Sequence, residues 1–216
     1  SRDLQREGKS FYWASFFLPK KSKINAGILY SICRHFDDIA DKYSKDQTSY
    51  LKKSIEEIKK NKENKVNIFL QKNKINNSIF IDLIDGLILD QKKIRIQNKE
   101  ELIKYSYHVA GTVGLMMSKI IGVEDRKAAK SAIDLGIGMQ LTNIARDVYE
   151  DSKMERIYLP ADWIPNISLE NLNNLHESSS QKDEKISNAI HKVISLSENF
   201  YKNGFAGLKY IPISTR

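Results

Sequence analysis

QLTNIARDVYEDSKMERIYLPADW, residues 140–163, carries acidic residues at helical spacing. Asp147 and Asp151 are four residues apart, so their carboxylates lie on one face of a helix, about one turn from each other. Gln140 and Asn143 extend that face upstream. Mg²⁺ takes one or two carboxylates and completes its shell with water and substrate phosphates. The stretch therefore predicts a helix with a magnesium–diphosphate site on one face.

A second acidic cluster of the same design lies upstream in LYSICRHFDDIAD, residues 29–41. Asp37 and Asp41 are again four apart, and Tyr30 and Arg34 continue their face toward the N-terminus. Like charges at this spacing destabilise a helix unless something offsets them. An arginine beside such a pair can bind a phosphate through two parallel hydrogen bonds. We therefore interpret the two clusters together as binding sites rather than as solvated helix faces.

Helical periodicity continues through most of the chain, with apolar residues recurring at three- and four-residue steps. A clear alternating strand pattern with hairpin turns is absent from the sequence, and we predict an all-α fold. Single helices are predicted over residues 102–121, 132–152 and 186–205. In the first of these, Gly111 and Gly114 would let another object approach closely, and plain helix packing is the alternative use of these glycines.

Composition places further limits on the fold. The 216 residues are 41% hydrophobic and 29% charged, which is typical of an ordinary folded domain, and we predict one domain over residues 1–216. A single cysteine excludes an internal disulfide and a cysteine-based zinc centre. No run of eighteen apolar residues is present, so no membrane-spanning helix is predicted. The chain lacks an initiator Met and ends soon after a helix, and we expect truncation at both ends.

The net charge of +8 is concentrated in residues 42–74, where ten lysines accompany four acidic residues. Few aromatic residues are interleaved for base stacking and no nucleic-acid motif accompanies the lysines, so nucleic acid is not a predicted partner. A solvated surface is the first interpretation, and an anionic membrane surface or substrate is the alternative. We predict a cytoplasmic protein and leave open a peripheral contact with the inner face of the membrane.

These motifs resemble those of the squalene/phytoene synthase family, whose members join two prenyl diphosphates head to head. The resemblance covers nearly the whole chain, and QxxNxxRDxxED followed by RIYLP is its most specific part. It also includes KSFYWASFFLP, LYSICRHFDDIAD, LIDGLILD and YSYHVAGTVGLMM, at residues 9–19, 29–41, 83–90 and 105–117. Within the family, VAGTVGLMM and RIYLPADW are most similar to bacterial phytoene synthases.

The resemblance implies an isoprenoid-synthase helical bundle around a central cavity, with the two acidic motifs facing each other across its mouth. The implied magnesium ligands are Asp37, Asp41, Asn143, Asp147 and Asp151. The implied catalytic residues are Asp37, Asp41, Tyr105, Asp147 and Asp151. The implied substrate-binding residues are Lys9, Ser10, Phe11, Tyr30, Arg34, Gln140 and Arg146. Phe11 and Tyr105 would line the reaction centre, where an aromatic face can stabilise a carbocation.

The implied activity is the head-to-head condensation of two geranylgeranyl diphosphates, through a cyclopropyl diphosphate, to phytoene in carotenoid biosynthesis. Mg²⁺ is the expected metal, with Mn²⁺ as an alternative, and NADPH is not expected. Three other interpretations stay open: squalene or dehydrosqualene synthase acting on farnesyl diphosphate, a head-to-tail prenyl elongase, and a non-catalytic helical relative. The first acidic motif would suit an elongase, but the second does not. The intact carboxylate pairs disfavour the non-catalytic relative.

Family members continue for further helices past the point where this chain stops. We therefore expect the C-terminal helices to be missing, and the 216-residue chain to be weakly active or poorly stable by itself. The oligomeric state is left open by the sequence.

Overall fold

Helices make up most of what the structure describes, and they form where the apolar spacing predicts them. The structure is a computed structural model that describes residues 18–42, 44–91, 93–173 and 180–212. Its α-helices are α1 (Lys20–Asp41), α2 (Lys45–Lys59), α3 (Lys65–Lys72), α4 (Asn77–Asp90), α5 (Lys99–Ser106), α6 (Thr112–Ile120), α7 (Arg126–Arg146), α8 (Val148–Lys153), α9 (Leu169–Asn173) and α10 (Ser180–Phe205). A 3-10 turn, Leu208–Tyr210, follows α10.

Polar side chains fix the starts of several helices by accepting a main-chain hydrogen bond at the N-cap. They are Ser44 for α2, Asn64 for α3, Asn76 for α4, Asn98 for α5 and Asp125 for α7. Each cap of this kind stabilises its helix by about 1 kcal/mol relative to alanine. The local sequence therefore determines where these helices begin.

The helix predicted over residues 102–121 forms, but it contains a π turn at Tyr107–Gly111 between α5 and α6. Such turns insert one extra residue into the helical register and often occur at functional sites. The Tyr107 hydroxyl donates to an Asp82 carboxylate oxygen at 2.9 Å, and His108 Nδ1 lies 2.8 Å from the Asp82 carbonyl oxygen. Helix α4 thus contacts the π turn through both the side chain and the main chain of one residue.

Two glycines bring the main chains of the α5–α6 segment and α7 into direct contact. A Cβ on Gly114 would lie 2.2 Å from the Ala132 carbonyl oxygen, and a Cβ on Gly136 would lie 2.3 Å from that of Ala110. Real Cβ atoms do not approach an oxygen so closely. Close approach at Gly114 is as predicted, and its partner is another helix of the same chain.

The structure corrects one prediction at the second acidic motif. The helix predicted over residues 132–152 is interrupted at Asp147, whose backbone (φ −102°, ψ 18°) separates α7 from α8. Hydrogen bonds from Asp147 N to Asn143 O (2.9 Å) and from Asp151 N to Asp147 O (2.8 Å) carry the spacing across the break. A short strand pair also occurs, because Ile94–Arg95 and Arg156–Ile157 pair in parallel.

The hydrophobic core consists of two clusters. One packs α1–α4 against α6, and the other packs α5 and α7 against α10 and residues 157–172. The α5–α6 segment contributes to both, with Tyr105 in the second cluster and Met116 in the first. Within the described ranges, no helix combines the length and apolarity needed to cross a membrane.

Candidate active site

Three of the predicted substrate-binding residues, Lys9, Ser10 and Phe11, lie outside the described residues. The remaining predicted residues come from α1, from the end of α5, and from the segment that joins α7 to α8.

The C-terminal half of α1 presents the first acidic motif. Arg34 pairs with two acidic residues of its own helix, with Nη1 3.3 Å from an Asp37 oxygen and Nε 2.9 Å from an Asp38 oxygen. Asp41 is exposed at the end of the helix, and Tyr30 is half-buried one turn before Arg34. Arg34 is 40% exposed at its side chain, so a ligand approaching from solvent can reach it.

The segment joining α7 to α8 presents the second acidic motif. The Arg146 guanidinium pairs with both oxygens of Asp147, at 2.5 and 2.6 Å. Asn143 and Gln140 lie one and two turns earlier on α7 and line an apolar cavity. Asp151 follows on α8 and is half-buried.

Arg156 connects the two motifs. It lies on the short strand after α8, and its Nη2 is 3.3 Å from an Asp41 oxygen and 3.1 Å from the main-chain oxygen of Asp90. Burial raises the pKa of Asp37 and of Asp151, and the charge of Arg156 opposes both shifts, so these groups lie within electrostatic range of one guanidinium. The structure therefore brings the two predicted acidic motifs together around Arg156.

Two buried tyrosines, Tyr105 and Tyr158, contact Asp90, the residue whose main-chain oxygen Arg156 contacts. The Tyr105 hydroxyl donates to the Asp90 carboxylate at 2.9 Å, and the Tyr158 hydroxyl donates to one of the same oxygens at 2.8 Å. The two rings are stacked with centroids 4.8 Å apart, and Tyr105 is only 6% exposed. The Tyr105 side chain is not among those that line the apolar cavity; it lies against Asp90 and Tyr158 instead.

Charge and burial perturb the titration of this region. Burial, followed by the charge of the neighbouring Asp147, raises the pKa of Asp151 to about 7, although Arg156 opposes the shift. Burial, followed by Asp41, raises the pKa of Asp37. Burial also raises the pKa of Asp90 to about 6, although the hydrogen bonds from the two tyrosines lower it. Clustered perturbed carboxylates of this kind are common at functional sites.

The donor set fits a hard divalent cation that is shared with a ligand. In the described part of the chain, no three His, Cys, Asp or Glu side chains are grouped closely enough to hold a metal by themselves. Mg²⁺ seldom uses a complete protein cage and relies on one or two carboxylates together with phosphate oxygens and water. The raised pKa values of Asp37 and Asp151 identify carboxylates that a nearby cation would stabilise.

An apolar cavity of about 410 Å³ runs beside this polar centre. Its wall on α7 includes Ala128, Leu135, Gln140 and Asn143, so the cavity extends along sixteen residues of helix, about 22 Å. The opposite walls come from the α5–α6 segment and from residues 204–211. The cavity is mostly apolar, and the amide side chains of Gln140 and Asn143 lie at the end near the second acidic motif.

Asp90, Arg156 and Tyr158 have no role predicted from the sequence, although all three lie in stretches that carry the family resemblance. Arg156 and Tyr158 are two residues apart on an extended segment, which directs both side chains to the same side, toward Asp90. An acidic residue at the end of the very apolar helix α4 was the signal available for Asp90.

Comparisons with known proteins identify relatives of the whole chain. The family model for squalene/phytoene synthase matches residues 4–216. A 15-cis-phytoene synthase from Enterobacter agglomerans is 32% identical over 223 residues, covering 95% of this chain and 75% of the relative. The solved structure of a dehydrosqualene synthase is similar with a TM-score of 0.81 at 26% identity, covering 100% of this chain and 77% of that chain.

A squalene synthase from Alicyclobacillus acidocaldarius has a TM-score of 0.82 at 18% identity, covering 98% of this chain and 82% of that one. At that identity the likeness shows the fold alone. The predicted all-α isoprenoid-synthase bundle is confirmed by these structures.

Proposed function

This chain belongs to the squalene/phytoene synthase family, and on that premise we propose that it is a prenyltransferase which condenses two geranylgeranyl diphosphates head to head to phytoene, the first step of carotenoid biosynthesis. We also propose that residues 1–216 form one domain. The observation that carries the function is an apolar cavity which ends at Gln140 and Asn143, beside two acidic motifs joined by Arg156. A molecule with a long apolar tail and a diphosphate head matches both parts.

The reaction has two halves. Diphosphate leaves the first substrate and gives an allylic cation, the double bond of the second substrate attacks it, and loss of a proton closes a cyclopropane. The second diphosphate then leaves, the ring rearranges, and loss of a second proton gives the hydrocarbon. The chain must therefore stabilise departing diphosphate and keep water from the cation.

Named residues of the chain supply the first of these tasks. Arg34 and Arg146 are exposed enough to exchange their carboxylate partners for diphosphate oxygens, with Tyr30, Gln140 and, beyond the described residues, Lys9 and Ser10 as further contacts. Phe11 is assigned to the substrate site through the family resemblance. Tyr105, whose hydroxyl is held by the Asp90 carboxylate, is assigned to the reaction centre.

The family depends on divalent metal ions, and we propose Mg²⁺ here, with Mn²⁺ as an alternative of similar oxygen preference. Asp37, Asp41, Asn143, Asp147 and Asp151 would hold it. When bound, the ion neutralises the charge that develops on the departing diphosphate. NADPH is not part of the proposed reaction.

The test is a product assay with two substrates. The protein is incubated with Mg²⁺ and either geranylgeranyl or farnesyl diphosphate, with and without NADPH, and the hydrocarbons are identified by mass. A forty-carbon product without NADPH supports the proposal. A thirty-carbon product would instead assign the chain to squalene or dehydrosqualene synthesis, the activity that the dehydrosqualene synthase structure favours as second candidate.

We further propose that α2 and α3 contact an anionic membrane surface peripherally, where an apolar substrate and product would be exchanged. All ten lysines of residues 42–74 are exposed. On α3, Lys65, Ile68 and Lys72 share one face, and Ile68 is 51% exposed between the two lysines. Each lysine near an anionic bilayer contributes about 1 kcal/mol of attraction.

Liposome sedimentation tests this contact. The double variant Lys65→Glu/Lys72→Glu is expected to lose its preference for vesicles that contain anionic lipid. Lys99→Glu changes an exposed lysine on α5 and serves as the control that keeps the preference. Equal sedimentation of the wild-type chain with neutral and anionic vesicles would overturn the membrane proposal without affecting the enzymatic one.

A further inference from the structure

Asp90 contacts two different parts of the site, one through its side chain and the other through its main chain. Its carboxylate accepts hydrogen bonds from Tyr105 and Tyr158. Its main-chain oxygen accepts a hydrogen bond from Arg156, whose same nitrogen is close to Asp41. The last residue of α4 therefore links the tyrosine pair to the cation between the acidic motifs.

The hydrogen-bond partners of the Tyr105 and Tyr158 hydroxyls restrict the orientations of both groups. Tyr105 Oη is 2.9 Å from both Asp90 oxygens, Tyr158 Oη is 2.8 Å from one of them, and the two hydroxyls are 3.1 Å apart. An ionised carboxylate accepts only and forms stronger bonds than a neutral partner. Each tyrosine consequently directs its proton at Asp90, and the oxygen of Tyr105 keeps its remaining acceptor capacity for another group.

We propose that Asp90 is a positioning residue, which fixes the ring and hydroxyl of Tyr105 for the reaction at the adjacent acidic motifs. This inference rests on the proposed prenyltransferase function. Asp90 does not need to touch substrate for this role, since it acts through Tyr105. The raised pKa values of both tyrosines agree with the contacts, because burial and the nearby carboxylate disfavour the phenolate.

The test is a steady-state comparison of Asp90→Asn with a matched control. Asparagine keeps the size of the side chain but removes its negative charge and replaces one of the two oxygens that Tyr105 contacts with an amide donor, so both hydroxyls lose their charge-assisted hydrogen bonds. Loss of a hydrogen-bond partner that orients a metal ligand typically lowers activity about 10–100-fold, and we expect a similar factor for the group that orients Tyr105. We expect kcat to fall by that factor while KM stays within about twofold, since Arg156 is held by main chain and the diphosphate contacts are untouched.

Asp82→Asn is the control. Asp82 lies on the same helix and also accepts a tyrosine hydroxyl, that of Tyr107, at 2.9 Å. It makes an equivalent bond outside the acidic motifs, and we expect its kcat to stay within about threefold of the wild-type value. An equal loss of kcat in both variants would mean that any broken Asp–Tyr bond impairs the fold, and would overturn the proposal.

A variant pair identifies the route of the effect. In a Tyr105→Phe background, Asp90→Asn should lower kcat no further, because the residue that Asp90 positions has lost its hydroxyl. Full additivity of the two losses would contradict the inference. If Asp90→Asn does not fold, Tyr158→Phe removes one of the two donors and keeps the carboxylate, and its loss of kcat should likewise vanish in the Tyr105→Phe background.

A measurement without substrate separates this inference from the proposed function. Ultraviolet titration of tyrosine ionisation should show phenolates at lower pH in Asp90→Asn than in the wild type, since the carboxylate that disfavours them is gone. Unchanged titration overturns the inference even in an active enzyme. A shifted titration in a chain that makes no hydrocarbon supports the contacts and refutes the prenyltransferase function alone.

Discussion

Arg34 and Arg146 each pair with carboxylates that follow them in the same motif, so under the proposed function each exchanges a partner when a diphosphate binds. These pairs are exposed, at 40% and 67% of the arginine side chains. Exposed ion pairs contribute about 0–1 kcal/mol. The exchange therefore costs little, and the carboxylates released by it become available to a cation.

Asp147 provides the sharpest test at this scale. Replacing it with asparagine removes one carboxylate from the second motif, and loss of a key electrostatic contributor costs about 2.7–4 kcal/mol in the transition state, or about 10²–10³ in kcat. We expect that loss in turnover assays, with the free energy of unfolding unchanged within about 1 kcal/mol. Glu150→Gln, which neutralises an exposed neighbour, is the control, and comparable loss in both variants would contradict the assignment of Asp147.

Asp90 gives a pH-dependent prediction of stability. Its pKa is raised from 3.8 to about 6 in the folded chain, so between these values the folded state binds more protons than the unfolded state, and stability falls as pH rises. Asparagine does not titrate, so the Asp90→Asn variant does not lose stability in this way as the pH rises. The melting temperature of the variant relative to the wild type should therefore increase from pH 4 to pH 7 and then level off, and a constant difference across this range would be inconsistent with the shift.

At the scale of elements, the contact between the α5–α6 segment and α7 is the most constrained packing in the fold. Gly136→Ala places a Cβ 2.3 Å from a carbonyl oxygen, and the helices must separate to admit it. Alanine favours the helix by about 1 kcal/mol relative to glycine. Overpacking costs about 1–3 kcal/mol, and we expect the upper end of that range here because the neighbouring atom belongs to the main chain. We expect a net loss of about 2 kcal/mol in urea unfolding, or about 4–8 °C in melting temperature.

Gly138→Ala is the matched substitution two residues along the same helix. Its Cβ would lie 3.3 Å from the Ser197 carbonyl oxygen, which requires a shift of only a few tenths of an ångström. We expect its stability to stay within about 1 kcal/mol of the wild type. A loss equal to that of Gly136→Ala would show that both effects come from something other than the close main-chain contact.

Elements were predictable from the sequence wherever a local pattern specifies them. The apolar period and the N-cap residues determine α2 and α4, and the predicted end of the last helix at Phe205 matches the structure. The break at Asp147 and the π turn at Tyr107–Gly111 leave that period almost unchanged, so no local pattern reveals them. The strand pair formed by Arg156–Ile157 is two residues long, too short to display any period.

The residues of the site also divide into those that a local sequence pattern predicts and those that depend on tertiary packing. Each acidic motif was predictable because its residues share one helix face, and their meeting followed only from the family resemblance. Arg156 links Asp41 to Asp90 across long sequence separations, and that link depends on how strand, helix and loop pack together. The residues that connect the motifs were missed for this reason.

At the scale of the molecule, the length of the cavity should select the length of the substrate. Ala128 lies at the end of the α7 wall farthest from Asn143. Ala128→Leu fills that end, and we expect a mixture of geranylgeranyl and farnesyl diphosphates to give a larger share of thirty-carbon product. Ala129→Leu, at the next position and outside the cavity lining, is the control, and an unchanged product ratio in Ala128→Leu would refute the role of this end.

The direct main-chain contact at Gly114 and Gly136 has a consequence for how such an enzyme can evolve. At one wall of the cavity, the distance between the two helices is set by contacts between peptide groups. A substitution changes only side chains, so it cannot reduce the size of these groups. In a library selected for hydrocarbons of different carbon number, positions 114 and 136 should remain glycine in every survivor. Accepted changes should accumulate on adjustable side chains that line the remaining space, such as Met117, Leu135 and Leu208.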